Sequence, residues 1–301
     1  MKILVTGGAG FVGTNLIKRL LRDGHEVVSV DNYSTGYKHN EQDGCLYSEV
    51  DISNASRLKA KLFWAFEKDK PDMIFHLAAL ARIQPSFKNP QEVFEVNVLG
   101  TQHILEWART NGNIPVVYAG SSSSHGDHFA NPYTYYKFSG EELCRLYASV
   151  YKLPTAVTRF YNVYGKHMIP KDSAYSAVIQ IFDEQKLNGE PLTITGDGEQ
   201  RRDFTHVEDI VDGLIRCGMG LSSSDDRVVI SGKTFELGRG KNYSINEIAS
   251  FYDSETTYIE QRPGEMRITL CESVEAREML GFNPTRSIED YIKDIVKKSN
   301  E

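Results

Sequence analysis

Cysteine is scarce and scattered: Cys45, Cys144, Cys217 and Cys271 are the only four in 301 residues. With no Cys-x-x-Cys pair among them, they form neither a zinc-ligand spacing nor a disulfide framework, and isolated thiols suit a reducing cytosol. No metal site is expected. No apolar run approaches the ~20 residues that cross a bilayer, so no membrane partner is expected either. Lys and Arg are spread along the chain, and the formal net charge is −7. That leaves no basic face for nucleic acid. A phosphate-bearing small ligand stays open, because a few local donors suffice for one. A signal-peptide pattern is also missing, since Met1-Lys2 leads straight into Ile3-Leu4-Val5 and a glycine cluster. A cytoplasmic location is therefore expected. Repeats, low-complexity segments and long linkers are absent.

What is present is an alternation of short apolar runs and helical patterns. Ile3–Thr6, Glu26–Val30, Leu46–Val50, Met73–Leu77, Ile114–Ala119 and Thr155–Phe160 read as strands. Thr14–Arg22, Pro90–Asn111 and Tyr133–Tyr151 read as helices between them. The pattern predicts a parallel sheet covered on both faces, with ligands bound beyond the carboxyl ends of its strands. The second half is less regular. Helices are expected at Ala174–Leu187, Val207–Gly218, Ser244–Tyr252 and Ile288–Lys298, a strand at Thr234–Leu237, a loop at Gly165–Ser173 and a turn at Gly196–Gly198. These segments are expected to pack as a small lobe over the ligand edge.

Gly7, Gly10 and Gly13 give the spacing GxxGxxG between the first strand and the first helix. Such glycines permit a tight turn, close approach of backbone amides to a pyrophosphate, and close helix–strand packing. The helix N-terminus adds free N–H groups and a favourable dipole. Asp31 closes the second strand, where a carboxylate accepts hydrogen bonds from ribose hydroxyls and repels a 2′-phosphate. NAD is thus favoured over NADP, and the nearest basic residue after Asp31 is Lys38.

Tyr133 and Lys137 stand at i and i+4 on one helical face. A phenol is a weak base at neutral pH unless cations favour its ionised form. So placed, Tyr133 can take a proton from a substrate hydroxyl while hydride leaves the same carbon. Lys137 can also hold the nicotinamide ribose. The serine run Ser121–Ser124 ends the fifth strand, where a hydroxyl can donate to a sugar oxygen.

Together these motifs resemble the extended short-chain dehydrogenase/reductase family, in particular its nucleotide-sugar epimerases and dehydratases. The pieces that match are TGGAGFVG at 6–13, Asp31-Asn32, Asp51-Ile52, HLAA at 76–79, NVLGT at 97–101, Ser121–Ser124, Tyr133/Lys137, RFYNVYG at 159–165, GDGEQRRDF at 196–204 and RPGE at 262–265. The resemblance implies an α/β fold, a Rossmann doubly wound parallel sheet with a smaller C-terminal α/β substrate lobe. Residues 1–165 with about 205–240 would form the NAD-binding domain, and about 166–204 with 241–301 the nucleotide-sugar lobe. A homodimer is implied as well. Gly7, Gly10, Phe11, Val12, Gly13, Asp31, Asn32, Asp51, Ile52, Leu77, Ala78, Ala79, Asn97, Tyr133 and Lys137 would surround NAD. Tyr133 would be the acid/base, and Ser121 would hold the reacting sugar oxygen beside Ser122 and Ser123. Asn162, Arg202 and Arg262 would hold the nucleotide diphosphate; a planar guanidinium grips phosphate oxygens bidentately.

Similar dehydratases carry Asp-Glu directly after the reactive Ser or Thr, and similar decarboxylases a Glu. This chain has Ser122 and Ser123 there. A serine hydroxyl is a poor general base unless another group activates it. Epimerisation at C4 through a transient 4-keto sugar is therefore the expected reaction. A dehydratase, decarboxylase or reductase, or a non-catalytic relative, are the alternatives. Thr269 matches a position where a small residue enlarges the sugar pocket, which leans the expectation toward UDP-N-acetylhexosamines over plain UDP-hexoses. Two departures stand out. His125 replaces the usual Tyr before Gly126 and is expected to have no catalytic duty. Ser121 and Tyr133 are 12 positions apart, about half the usual separation in similar proteins, so a loop that normally lines the site is short.

Overall fold

The structure is a computed structural model that describes residues 1–223 and 227–299. Its strands, in chain order, are Lys2–Thr6 (β1), Glu26–Asp31 (β2), Cys45–Glu49 (β3), Met73–His76 (β4), Val116–Ser121 (β5), Thr155–Phe160 (β6), Asn162–Tyr164 (β7), Leu192–Thr195 (β8), Arg201–His206 (β9), Thr234–Leu237 (β10), Asn242–Ser244 (β11) and Thr256–Ile259 (β12). Among the described residues, seven of these form one sheet in the order β10-β6-β5-β4-β1-β2-β3. Every neighbouring pair in it is parallel. The order reverses between β1 and β4, which opens a crevice at their carboxyl ends.

Alternating side chains explain why the sheet is covered twice. On β1, Leu4 enters one core while Ile3 and Val5 enter the other. β4 repeats the pattern, with Ile74 on the first side and Met73 and Phe75 on the second. Leu58 and Leu62 of helix Ala55–Ala65, Ile104, Leu105 and Trp107 of Thr101–Thr110, and Cys144 and Tyr147 of Pro132–Tyr151 close the first face. Leu16, Ile17 and Leu20 of Phe11–Arg22, with Ile210, Leu214 and Cys217 of Val207–Ser222, close the second.

A third core belongs to the smaller lobe. Phe182, Leu192, Ile194, Phe204, Tyr243, Ile248, Tyr252 and Ile292 are buried there together. The lobe carries a sheet of order β11-β9-β7 and the pair β12-β8. Ala276 and Phe282, although late in the chain, pack with the second face of the large sheet. The two domain ranges given above run through 224–226 and 300–301, which lie outside the described residues.

Several elements differ from the sequence reading. The helix expected from Ala174 begins at Val178, because turn bonds from Ser173 N–H to Pro170 O and from Ser176 N–H to Ser173 O occupy the preceding backbone. The stretch expected as one helix over Pro90–Asn111 is divided: its middle, Glu95–Gly100, is π-helical. Ala55–Ala65 is a further helix, absent from the expected elements; Asn54 caps it by accepting from Arg57 N–H at 3.1 Å. Among the described residues, no helix is long and apolar enough to cross a membrane, and no cluster of three or more His, Cys, Asp or Glu could hold a metal ion.

Candidate active site

A cleft of about 880 Å³ runs from the glycine loop, past Tyr133, to Arg202 and Arg262 of the smaller lobe. At its first end Gly7 has φ +75° and donates to Val30 O at 2.8 Å. A Cβ at Gly7 would lie 2.8 Å from Ala78 N, and one at Gly13 would lie 2.1 Å from Gly7 O. Both glycines are therefore sterically required. Helix Phe11–Arg22 starts at Gly10 with no side-chain cap and no acidic residue in its first turn, so its amides and positive end face the cleft uncompensated.

Asp31 is 8% exposed and lines the cleft. Its Oδ2 accepts from Ala9 N–H at 2.9 Å and its Oδ1 from Tyr33 N–H at 2.8 Å. Burial pushes its carboxyl up, against the pull of these backbone donors. Lys38 is paired with Glu49 at 3.1 Å and does not line the cleft. A dinucleotide with a free 2′-hydroxyl fits this end better than one with a 2′-phosphate.

Most of the expected residues line this one cleft; Asp51 and Asn97 do not. Asp51 sits behind the lining, where it accepts from Asn32 Nδ2 at 2.9 Å. Asn97 bonds Leu80 twice, through Leu80 N–H to Oδ1 at 2.9 Å and Nδ2 to Leu80 O at 3.1 Å. It thereby ties the π-helical turn to the loop that follows β4.

Ser121 ends β5 because its hydroxyl caps the short helical turn Ser122–His125. Tyr133 Oη donates to Ser121 Oγ at 3.2 Å, and Ser123 Oγ donates to the same oxygen at 2.9 Å. The Tyr133 helix is set by Asn131, whose side chain accepts from Thr134 N–H at 2.8 Å, and by Pro132 in the first turn. An Asn-Pro pair is a helix-start signal.

Lys137 is buried and lines the cleft with Tyr133. Its Nζ donates to Ala119 O at 2.5 Å and lies 4.7 Å from the centre of the Tyr118 ring. Burial pulls its ammonium down to about 8. The Tyr133 phenol is pushed up by burial, opposed first by the Ser121 hydroxyl and then by the Arg82 guanidinium. Arg82, Gln84, Tyr175 and Glu265 also line the cleft. None was singled out as a site residue on its own account, since no periodicity or spacing marks a loop position as facing a ligand.

Behind the serines, Glu141 accepts from Ser124 Oγ at 2.9 Å and pairs with Arg159 at 2.7 Å. Arg159 also pairs with Glu236 at 3.1 Å. His125 Nε2 lies 3.0 Å from Glu236 Oε1, and that hydrogen bond pulls its pKa upward. His125 is outside the cleft lining. At the far end, Arg202 approaches Glu265 at 3.7 Å. Arg262 is exposed, with no carboxylate partner among the described residues. Thr269 is 9% exposed at the same end, and its Oγ1 accepts from Asp203 N–H at 3.4 Å.

Glycine loop, ribose carboxylate and paired Ser–Tyr hydroxyls in one cleft describe a dinucleotide-dependent enzyme of the short-chain dehydrogenase type. Residues 3–219 match the NAD dependent epimerase/dehydratase family, and the chain belongs to that family. The UDP-glucose 4-epimerase of Mycolicibacterium smegmatis is 32% identical, over 99% of this chain and 98% of that one. A crystal structure of UDP-glucose 4-epimerase with UDP-glucose from Thermotoga maritima superposes with TM-score 0.89 at 29% identity, covering 100% of both chains. UDP-glucuronic acid 4-epimerase from Bacillus cereus, in complex with UDP-glucuronic acid and NAD, gives TM-score 0.83 at 27% identity over 99% of each chain. The protein is an NAD-dependent enzyme of the nucleotide-sugar epimerase type.

Proposed function

We propose that the chain inverts C4 of a UDP-hexose or UDP-N-acetylhexosamine through a transient 4-keto sugar. The observation that carries this reading is the contact between Tyr133 Oη and Ser121 Oγ inside a cleft that also holds a glycine loop and two arginines. The chemistry that bound NAD would supply is reversible hydride acceptance at the sugar carbon. Gly7, Gly10, Asp31 and the start of helix Phe11–Arg22 would hold its adenosine diphosphate, and Lys137 its nicotinamide ribose. Ser121 Oγ would anchor the C4 oxygen while Tyr133 Oη takes its proton, then gives it back when the carbonyl is reduced. Rotation of the keto sugar between the two steps exposes its opposite face. Asn162, Arg202 and Arg262 would keep the nucleotide fixed meanwhile. Dehydration needs a further acid or base beside C4. Glu141, a carboxylate bonded to the serine run, is engaged by Arg159 and Ser124. The small, buried Thr269 favours a pocket with room for an N-acetyl group.

Exposed Tyr135, Leu146, Val150 and Tyr151 along helix Pro132–Tyr151 support a homodimer. The test is incubation with UDP-glucose, UDP-N-acetylglucosamine and UDP-glucuronate, with products resolved by NMR and nicotinamide absorbance followed in parallel. C4 epimers without net NADH are expected. A dehydrated or decarboxylated product, or stoichiometric NADH, overturns the reading, and failure of the acetylated sugar to turn over overturns the preference drawn from Thr269.

A further inference from the structure

The turn that follows Ser121 is pinned from behind by two buried carboxylates. Ser124 Oγ donates to Glu141 Oε1 at 2.9 Å, and Ser121 N–H approaches the same oxygen at 3.4 Å. One residue further on, His125 Nε2 lies 3.0 Å from Glu236 Oε1. Glu141 belongs to the Tyr133 helix and Glu236 to β10, at the edge of the large sheet. Arg159 of β6 bridges the two. Its Nε and Nη2 donate to Glu141 Oε2 at 3.0 and 2.7 Å, and its Nη1 to Glu236 Oε1 at 3.1 Å. Tyr161 Oη donates to Glu236 Oε2 at 2.9 Å. The fit is close: a Cβ at Gly120 would lie 2.8 Å from Glu141 Oε1. Glu141, Arg159, Glu236 and His125 do not line the cleft, so they reach the site only through the turn.

Charge decides what His125 adds. Buried ion pairs are poorly screened. One guanidinium serves two carboxylates here, which leaves one negative charge in excess. A protonated His125 cancels it and completes the row His125, Glu236, Arg159, Glu141 with alternating sign. Buried charges are tolerated when paired in this way, and removing one member leaves another uncompensated. The charged and titratable groups that bear on His125 are Glu236 from β10, Arg159 from β6, Tyr161 after β6 and Glu141 from the Tyr133 helix. The bond to Glu236 favours the imidazolium, against burial and the Arg159 charge.

We propose that His125 is a positioning residue: as an imidazolium it closes this row of charges and so fixes the turn that presents Ser121 Oγ to Tyr133 Oη. Without the proton, Glu236 and Glu141 share a single guanidinium and Ser121 is held less firmly. The inference rests on the proposed role of Ser121 in holding the sugar oxygen.

The experiment uses the NAD-saturated protein as wild type, His125→Gln and His125→Lys, across the range in which imidazole titrates. Amide exchange over Ser121–Gly126, corrected for its intrinsic pH dependence, is measured beside the NMR titration of the His125 ring, which His125→Gln assigns, and the pH profile of UDP-sugar turnover. In wild type the turn is expected to lose protection as pH rises through the His125 midpoint, which lies above the ordinary 6.5. Through that midpoint kcat should fall, with KM little changed. His125→Gln can still donate to Glu236 but carries no charge. Its turn should exchange at the wild type's high-pH level throughout, and its kcat should be roughly 10-fold lower than wild type on the acid side and flat across the midpoint. His125→Lys should restore protection and kcat. Turn protection that ignores the His125 midpoint overturns the inference, as does a His125→Gln protein with the wild-type pH profile or a His125→Lys protein that behaves as His125→Gln. A change confined to KM overturns it too, because His125 would then act on substrate binding. If no UDP-sugar is turned over yet turn protection follows His125, the epimerase reading fails and the positioning stands. Should a variant fail to fold, the wild-type exchange measurement decides alone.

Discussion

Tyr133 donates its phenolic hydrogen to Ser121 Oγ at 3.2 Å, across a separation of 12 residues. The short segment between them therefore does not keep the two hydroxyls apart. Part of the wall is supplied instead by the other lobe: Gln84 Nε2 donates to Pro263 O at 2.9 Å and Asn131 Nδ2 to Gly264 O at 3.3 Å.

Replacing Tyr133 by Phe removes the proton carrier and keeps the ring. Turnover is expected to fall by ~10²–10⁴-fold, the range of a lost general acid/base. NAD affinity, measured by calorimetry, should stay within about twofold. Ser121→Ala should lower kcat as well, because Ser121 loses both its hold on the sugar oxygen and its contact with the phenol. Unchanged kcat in Tyr133→Phe would remove Tyr133 from the chemistry.

Asp31 carries a double load. Its carboxylate clamps Ala9 of the glycine loop and, in the proposed complex, a ribose hydroxyl pair. Asp31→Asn keeps one acceptor oxygen and drops the charge. NAD should bind ~10–100-fold more weakly, the scale of a lost charged hydrogen bond. Discrimination against NADP should narrow, since the repulsion is gone. Paired binding titrations with both dinucleotides read this directly, and an unaltered NAD/NADP ratio would count against the ribose role.

The parallel sheet was legible because β1 and β4 bury alternate residues on two faces and so read as apolar runs. The glycine loop was legible for a different reason: only glycine fits at 7 and 13. Arg82 shows where such reading stops, since its place is fixed by Tyr175 O from the other lobe, a tertiary fact. The Lys137 Nζ contact with Ala119 O is another that the i, i+4 spacing does not encode. The π-helical turn at Glu95–Gly100 escaped because Asn97 is drawn to Leu80, a contact that no helical periodicity encodes.

Among the described residues Arg262 has no carboxylate partner, and it is exposed, whereas Arg202 is held by Arg201 O at 2.9 Å and faces Glu265 at 3.7 Å. The pair should therefore respond differently to substitution. Arg262→Ala removes a free phosphate ligand and is expected to raise KM for UDP-sugars by ~10-fold or more, with kcat largely kept. Glu265→Gln frees Arg202 from a competing carboxylate and should lower KM modestly. Steady-state kinetics on both variants checks the assignment; a raised KM in Glu265→Gln would contradict it.

His76 anchors a polarised chain beneath the cofactor end of the cleft. Ala78 N–H donates to Thr6 Oγ1 at 3.1 Å, and Thr6 Oγ1 lies 2.7 Å from His76 Nδ1. His76 Nε2 lies 3.0 Å from Thr101 Oγ1, which donates to Asn97 O at 2.7 Å. Because Thr101 uses its hydrogen on Asn97, it accepts from Nε2–H. In a neutral imidazole Nδ1 is then the acceptor for the Thr6 hydroxyl. Burial, reinforced by the Lys137 ammonium, pulls His76 down to about 3 from an ordinary 6.5. Between those two values the unfolded chain takes up a proton that the native state refuses. Native stability should thus fall as pH drops below about 6.5, by up to about 1.4 kcal/mol per pH unit from this group, and be indifferent to it above. His76→Gln keeps a donor and an acceptor but cannot titrate. It should be less stable at neutral pH, with a shallower loss on acidification. Urea midpoints at a series of pH values measure both slopes, and parallel slopes for the two proteins would mean that His76 is already charged in the native state.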